Sequence, residues 1–264
     1  MENTRTKPNW LELPRDVTLN ILQRLRTVEI ITSACLVCPL WWNFCKEPCI
    51  WRTIRMHMSL YSHYDNEDLV KMCRYAVRKS CGQLEEIYIS SFGNDELLEY
   101  IANSATQLRR VGLVQFDYLS EEAFIEAVKK LPLIEELDVS NNIYLSKVSF
   151  EVVGSYCPLL KSLKYGRDVL SENAEAFVIA KTMPGLRSLT VSGIVLSSDG
   201  IVAILNGCPL LESLDLRYCS SMYPTESLRK RCCEQIKIFM PPMLEDCDFY
   251  CCADNWDSAS WYSD

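Results

Sequence analysis

The chain is 264 residues long, 48% apolar and 23% charged, the composition of a soluble globular protein. No apolar run approaches the ~18 residues of a membrane helix, and the polar stretch from Met1 to Trp10 lacks the apolar centre of a secretory signal, so the nucleus, the cytoplasm or both are the expected location and no membrane partner is expected. Of the formal charge of −8, residues 241–264 hold six acids (Glu245, Asp246, Asp248, Asp254, Asp257 and Asp264) and no base, which leaves −2 on the other 240 residues and no dominant basic patch for nucleic acid.

Residues 1–9 read as a flexible N-terminus, and the first element opens with Trp10-Leu-Glu-Leu-Pro-Arg-Asp-Val. Pro14 suits a first helical turn, and Val17, Ile21, Leu22 and Leu25 follow at helical spacing. A second helix is predicted from about Val28 to Cys38, with more apolar side chains than one face can bury. Pro39 starts a third, bearing Leu40, Trp41, Trp42 and Phe44, and Pro48-Cys-Ile-Trp51-Arg closes the unit. A unit this small and oily is marginal alone. Either it docks on a protein partner or it caps the neighbouring domain.

The order and spacing of Leu13-Pro14, Asp16-Val17, Ile21-Leu22, Leu25, Val37-Cys38, Trp41, Pro48 and Trp51-Arg52 resemble an F-box, over residues 10–55. Pro39-Leu40 departs from the family's usual filler before Trp41. The resemblance implies a Skp-type adaptor as partner and, through it, the cullin and RING subunits of an SCF ubiquitin ligase. It also implies that Leu13, Pro14, Ile21, Leu22, Leu36, Val37 and Trp41 face the adaptor or support the interface. Burying one apolar side chain gains roughly 1.5–3 kcal/mol, so half a dozen can outweigh an association cost of roughly 4–15 kcal/mol.

After a linking helical region, 56–82, a repeat fills residues 83–240. Cys-Pro-Leu-Leu-Lys-Ser-Leu-Lys-Tyr at 157–165 returns as Cys-Pro-Leu-Leu-Glu-Ser-Leu-Asp-Leu at 208–216, with looser copies between and before. The anchors Leu84, Leu108, Ile134, Leu160, Leu186 and Leu211 are spaced by 24, 26, 26, 26 and 25 residues, and a degenerate seventh copy is expected at Cys233–Ile238, 22 residues on. That period and its L-x-x-L-x-L core mark leucine-rich repeats. Ser120, Ser146, Ser171 and Ser197 stand where helix N-caps are expected, and the Cys-Pro or Met-Pro after a helix explains its stop. The fold class expected is therefore α/β: a three-helix F-box, then a solenoid of six to seven repeats with a curved parallel sheet inside and helices outside.

Fourteen cysteines do not signal disulfides in a chain of this kind. Cys157, Cys208 and Cys219 fall at buried repeat positions, and the paired thiols of Cys232, Cys233, Cys247, Cys251 and Cys252 lack zinc-site spacing, so neither metal nor cofactor is expected. His57 and His63 lie outside any motif and no phosphate-cradling loop occurs, so no catalytic residues are assigned.

Outward strand positions should form two columns: Glu86, Arg110, Glu136, Ser162, Ser188, Ser213 and Tyr88, Gly112, Asp138, Lys164, Thr190, Asp215. Arg110, Asp138, Lys164, Asp215 and Arg217 are the candidate contacts to an unknown substrate protein, against the simpler reading of a solvated face with local ion pairs. The nonamers beside the F-box look most like plant F-box/leucine-rich-repeat proteins of the Skp-interacting-partner type, which implies a non-catalytic substrate adaptor. A small-ligand receptor or a plain scaffold on the same fold is the alternative. Residues 241–264 form an acidic, aromatic tail.

Overall fold

The computed structural model describes residues 13–61, 63–116, 118–166, 173–219 and 225–242. Ser171, together with the tail from Met243 onward and its cysteines, lies outside the described residues.

Helix α1 spans Arg15–Leu22, with Pro14 as its N-cap. The second helical stretch is composite: α2 (Thr27–Glu29), a π-helical turn (Ile30–Ala34) and α3 (Cys35–Val37). The Glu29 carboxylate accepts the Arg26 N–H at 2.9 Å, and the Thr32 hydroxyl donates to the Val28 carbonyl at 2.8 Å. A wider turn rotates the side chains beyond it about the helix axis. Ala34 and Cys35 point inward, while Leu36 and Val37 stay exposed. Cys38 caps α4 (Pro39–Phe44), and a 3-10 turn (Pro48–Trp51) ends the helical unit.

Trp51 joins this unit to the rest of the molecule. It is buried, its indole N–H donates to the Cys45 carbonyl at 2.9 Å, and its ring meets Tyr75 edge-on at 5.9 Å. Tyr75 lies on α5 (Asn66–Lys79). Directly after Trp51 comes β1 (Thr53–His57), which pairs in parallel with β2 (Glu86–Ser90) from Thr53↔Glu86 to His57↔Ser90. Thr27 Oγ1 accepts the Arg55 N–H at 3.1 Å, tying α2 to the same strand. The sheet thus begins within the segment that resembles the F-box.

From β2 onward strands and helices alternate: α6 (Asp95–Ser104), β3 (Arg110–Val114), α7 (Glu121–Lys129), β4 (Glu136–Ser140), α8 (Lys147–Tyr156), β5 (Ser162–Gly166), α9 (Ala174–Thr182), β6 (Ser188–Ser192), α10 (Ser198–Gly207), β7 (Ser213–Tyr218), α11 (Glu226–Gln235) and β8 (Ile238–Met240). The eight described strands lie side by side in chain order, each parallel to the next. This is the α/β solenoid of leucine-rich repeats that the sequence predicts. No described helix is long and apolar enough to cross a membrane.

The repeat pattern becomes one core. All six anchors from Leu84 to Leu211 are buried, as are the strand-centre residues Ile87, Val111, Leu137, Leu163, Leu189 and Leu214. The last copy needs a correction: Ile236, not Cys233, takes the anchor position, since Ser213 pairs with Ile238 and Ile236 is buried. The step from Leu211 is therefore 25 residues, in keeping with the others.

Strand exits share a backbone device. Ser91, Gln115, Asn141 and Gly193 take φ of 64°, 48°, 61° and 65°, and the N–H of each donates to a carbonyl in the next repeat: Val114, Ser140, Gly166 and Tyr218. Behind this turn Asn142 fills the repeat's polar position. Its amide donates to the Leu113 and Val139 carbonyls, and its Oδ1 accepts the Phe116 N–H at 2.9 Å. Cys219 acts similarly, its thiol donating to the Val191 carbonyl.

Helix starts are locked from one repeat to the next. Ser120, Ser146 and Ser197 cap their helices as expected; α9 is capped by Asn173 without a side-chain bond. Beyond capping, Asp95 accepts the Ser120 N–H, Glu121 accepts the Ser146 N–H and Asn173 accepts the Ser197 N–H, at 2.7–2.9 Å. The Ser149 hydroxyl also donates to Glu121. Burial alone would raise the Glu121 carboxyl, but the bonds from Ser149 and Ser146 outweigh it and hold it below the ordinary range.

Cys157 and Cys208 donate to the Leu131 and Met183 carbonyls, and burial pushes their thiols up to about 12 and about 11. They are core side chains. The described cysteines are free thiols.

Candidate functional site: the F-box surface and the open sheet face

Two surfaces carry the residues singled out in the sequence. On the helical unit, Leu36 is 75% exposed and Val37 59%, with Val17, Leu40 and Trp42 exposed as well. Pro14 is also exposed, Leu13 and Ile21 are half-buried, and Trp41 packs partly against the core. Leu22 is fully buried, so it can only support this surface from beneath. Val17, Leu40 and Trp42 were not among the candidate residues. The Trp41-Trp42 pair held the signal, because adjacent helical residues cannot both face the core.

The second surface is the sheet face not covered by helices. Both predicted columns are present in register: Glu86↔Arg110↔Glu136↔Ser162↔Ser188↔Ser213 and Tyr88↔Gly112↔Asp138↔Lys164↔Thr190↔Asp215. Glu86 is the electrostatic centre of the first. Its side chain is only 3% exposed and receives Arg110 Nε and Arg55 Nε at 2.7 Å each. Burial works against the Arg110 charge, but the Glu86 bond more than compensates and raises the guanidinium pKa. Arg55 was not anticipated. Its signal is the alternation Ile54-Arg55-Met56, a strand with one face buried.

The carboxylate of Glu136, on the other side of Arg110, has no hydrogen bond or ion pair among the described residues. Burial raises its carboxyl pKa; Arg110 and Lys164 pull it down, Glu86 and Glu135 push it up, and the net displacement is upward. Asp138 Oδ1 accepts the Ser140 N–H and hydroxyl at 3.1 and 2.7 Å. Gly112 lets the Tyr88 ring lie across the second column, where a Cβ would collide with that ring. A shallow depression of about 20 Å³ results, walled by Tyr88, Arg110, Glu136, Asp138, Ser162 and Lys164.

Asp215 and Arg217 belong to a different arrangement. Asp215 is buried, and Arg217 grips it through Nε and Nη2 at 3.0 and 2.8 Å, raising the arginine pKa. The register slips here, with Thr190↔Asp215 but Ser192↔Tyr218, so β7 carries an extra residue at Leu216–Arg217. Of this pair only Arg217 is reachable from outside, and Asp215 does not stand open on the face as its column position suggests.

The F-box domain model matches residues 10–53. F-box protein SKIP19 of Arabidopsis thaliana is 43% identical over 237 residues, spanning 89% of this chain and 77% of that protein. The chain belongs to the plant F-box/leucine-rich-repeat proteins. Putative F-box/LRR-repeat protein 22, also of Arabidopsis thaliana, is 37% identical across 97% of this chain and 84% of its own length. Among solved structures, a chain from the crystal structure of the Rad7 and Elc1 complex in yeast aligns over 85% of this chain and 86% of that one, at 14% identity and a TM-score of 0.44. The family assignment makes the helical unit an F-box. Its exposed apolar side chains therefore sit on the F-box domain.

Proposed function

We propose that this F-box protein is the substrate-recognition subunit of an SCF ubiquitin ligase, working in the nucleus, the cytoplasm or both. Its F-box binds a Skp-type adaptor, which brings the cullin and RING subunits, and its open sheet face binds the substrate protein. The chain itself performs no chemistry. The observation that carries the reading is the exposed Leu36, Val37, Leu40 and Trp42 cluster within the F-box match. Large apolar side chains left exposed within seven residues of one helical unit point to an interaction site. Leu13, Pro14, Ile21 and Trp41 border or support it, and Leu22 holds it from the core. Arg110, Asp138, Lys164 and Arg217 are the proposed substrate contacts, with Asp215 orienting Arg217.

The depression of about 20 Å³ favours a protein over a small ligand, whose pockets usually measure ~300–1,000 Å³. Affinity purification of the wild type beside Leu36→Asp/Val37→Asp tests the proposal. The variant should lose adaptor and cullin while keeping partners of the repeats. Unchanged adaptor recovery would overturn it.

A further inference from the structure

Within that reading, the chemistry of the depression narrows the substrate class. Of its two cationic walls, Arg110 is turned toward Glu86, which it shares with Arg55. Glu136 is Arg110's register partner on the opposite side, yet it takes no bond from it. On the same strand and face, two residues along, Asp138 uses Oδ1 for Ser140, and Oδ2 has no hydrogen bond among the described residues. Two outward acids thus arise from Cα positions about 7 Å apart along β4. They border the depression, whose other side is the Tyr88 ring lying over Gly112.

We infer that this depression receives a basic side chain, arginine or lysine, from the substrate protein, with Glu136 as its counter-ion and Asp138 Oδ2 as the second acceptor. Arginine suits the pair well, because its planar fork can reach two acceptors at once. The Tyr88 ring, lying over Gly112, would line the aliphatic stem. The raised carboxyl of Glu136 fits this role, since an anion short of partners gains from an incoming cation. Lys164, opposite Asp138 in register, is the competing feature, because it could instead attract an acidic residue.

The inference rests on the substrate-face reading, and one experiment separates the two. A random linear peptide library displayed on phage is selected on the purified full-length chain. Selected peptides are then measured against the wild type, Glu136→Gln/Asp138→Asn, Ser162→Arg, Lys164→Gln and Thr190→Arg. Ser162 pairs with Glu136 in register, so arginine there supplies an internal competitor. The expected result is peptides carrying arginine or lysine whose affinity falls about tenfold or more in the first two variants, the scale of one partly desolvated charge pair. Circular dichroism of each variant confirms that it is folded. Peptides lost with Thr190→Arg but indifferent to Glu136→Gln/Asp138→Asn, or enriched in acids and dependent on Lys164, would overturn the basic class and leave the substrate face standing. Peptides indifferent to every variant, or no enrichment at all, would overturn both.

Discussion

Asn142 and Glu136 sit six residues apart and show opposite uses of a polar side chain. Asn142 is buried and answers four backbone groups. Asn142→Ala leaves them without partners in a dry site, so a loss of about 2–4 kcal/mol is expected, read from the midpoint of urea unfolding. Glu136 is the reverse, a carboxylate that the fold leaves unanswered. Its carboxyl is raised in the folded state, so the penalty is absent at low pH. It grows as pH rises above the unfolded value of about 4.3 and is complete above the folded value. Glu136→Gln should therefore raise the unfolding temperature at neutral pH and lose that advantage near pH 4. A destabilised variant at neutral pH would contradict the idea that Glu136 is held short of partners.

At the scale of elements, the bonds between successive helix starts matter more than the caps. Each repeat must hold its neighbour, since none buries its own apolar face. Glu121 joins α7 to α8 through Ser146 and Ser149, and its carboxyl is depressed. A depressed carboxyl contributes stability that is present above the unfolded value and lost as pH falls through the lower folded value. Glu121→Gln should cost about 1 kcal/mol at pH 7 after allowance for solvent screening, and should flatten the acid limb of the stability profile below about pH 4.5. Unfolding followed by circular dichroism across that range measures both.

The strands and their two columns were legible in the sequence because a period-2 pattern repeated at 24–26 residues leaves one consistent register. Less legible were the features that depend on distant partners. The π-helical turn hides inside an ordinary apolar helix, Ile30 to Ala34, and shows only in which side chains it turns outward. Strand β1 carries none of the leucine pattern, and its neighbours read as F-box. The Asp215–Arg217 pair escaped because an extra residue in β7 moves Arg217 across the carboxylate that was expected to stand open.

For the whole molecule, the consequence of β1 is continuity. Ile54 and Met56 belong to the same buried core as Ile87 and Ile89, and Trp51 and Tyr75 close the junction. A repeat fragment beginning at Met58 would bare the β2 edge and that apolar layer, so it should be less soluble and melt lower than one beginning at Pro48. Light scattering and thermal denaturation of the two fragments decide this. Equal behaviour would mean that β1 is an ornament of the F-box and not the first rung of the sheet.

The strand-exit turns have one more consequence. At Ser91, Gln115, Asn141 and Gly193 the same left-handed step hands a backbone N–H to the following layer. Such a stack is modular. Duplicating one full unit would preserve every contact of this kind, whereas deleting a single residue within a strand would swap its wet and dry sides. Length in this architecture can therefore change by whole storeys with little strain, and hardly at all by fractions of one.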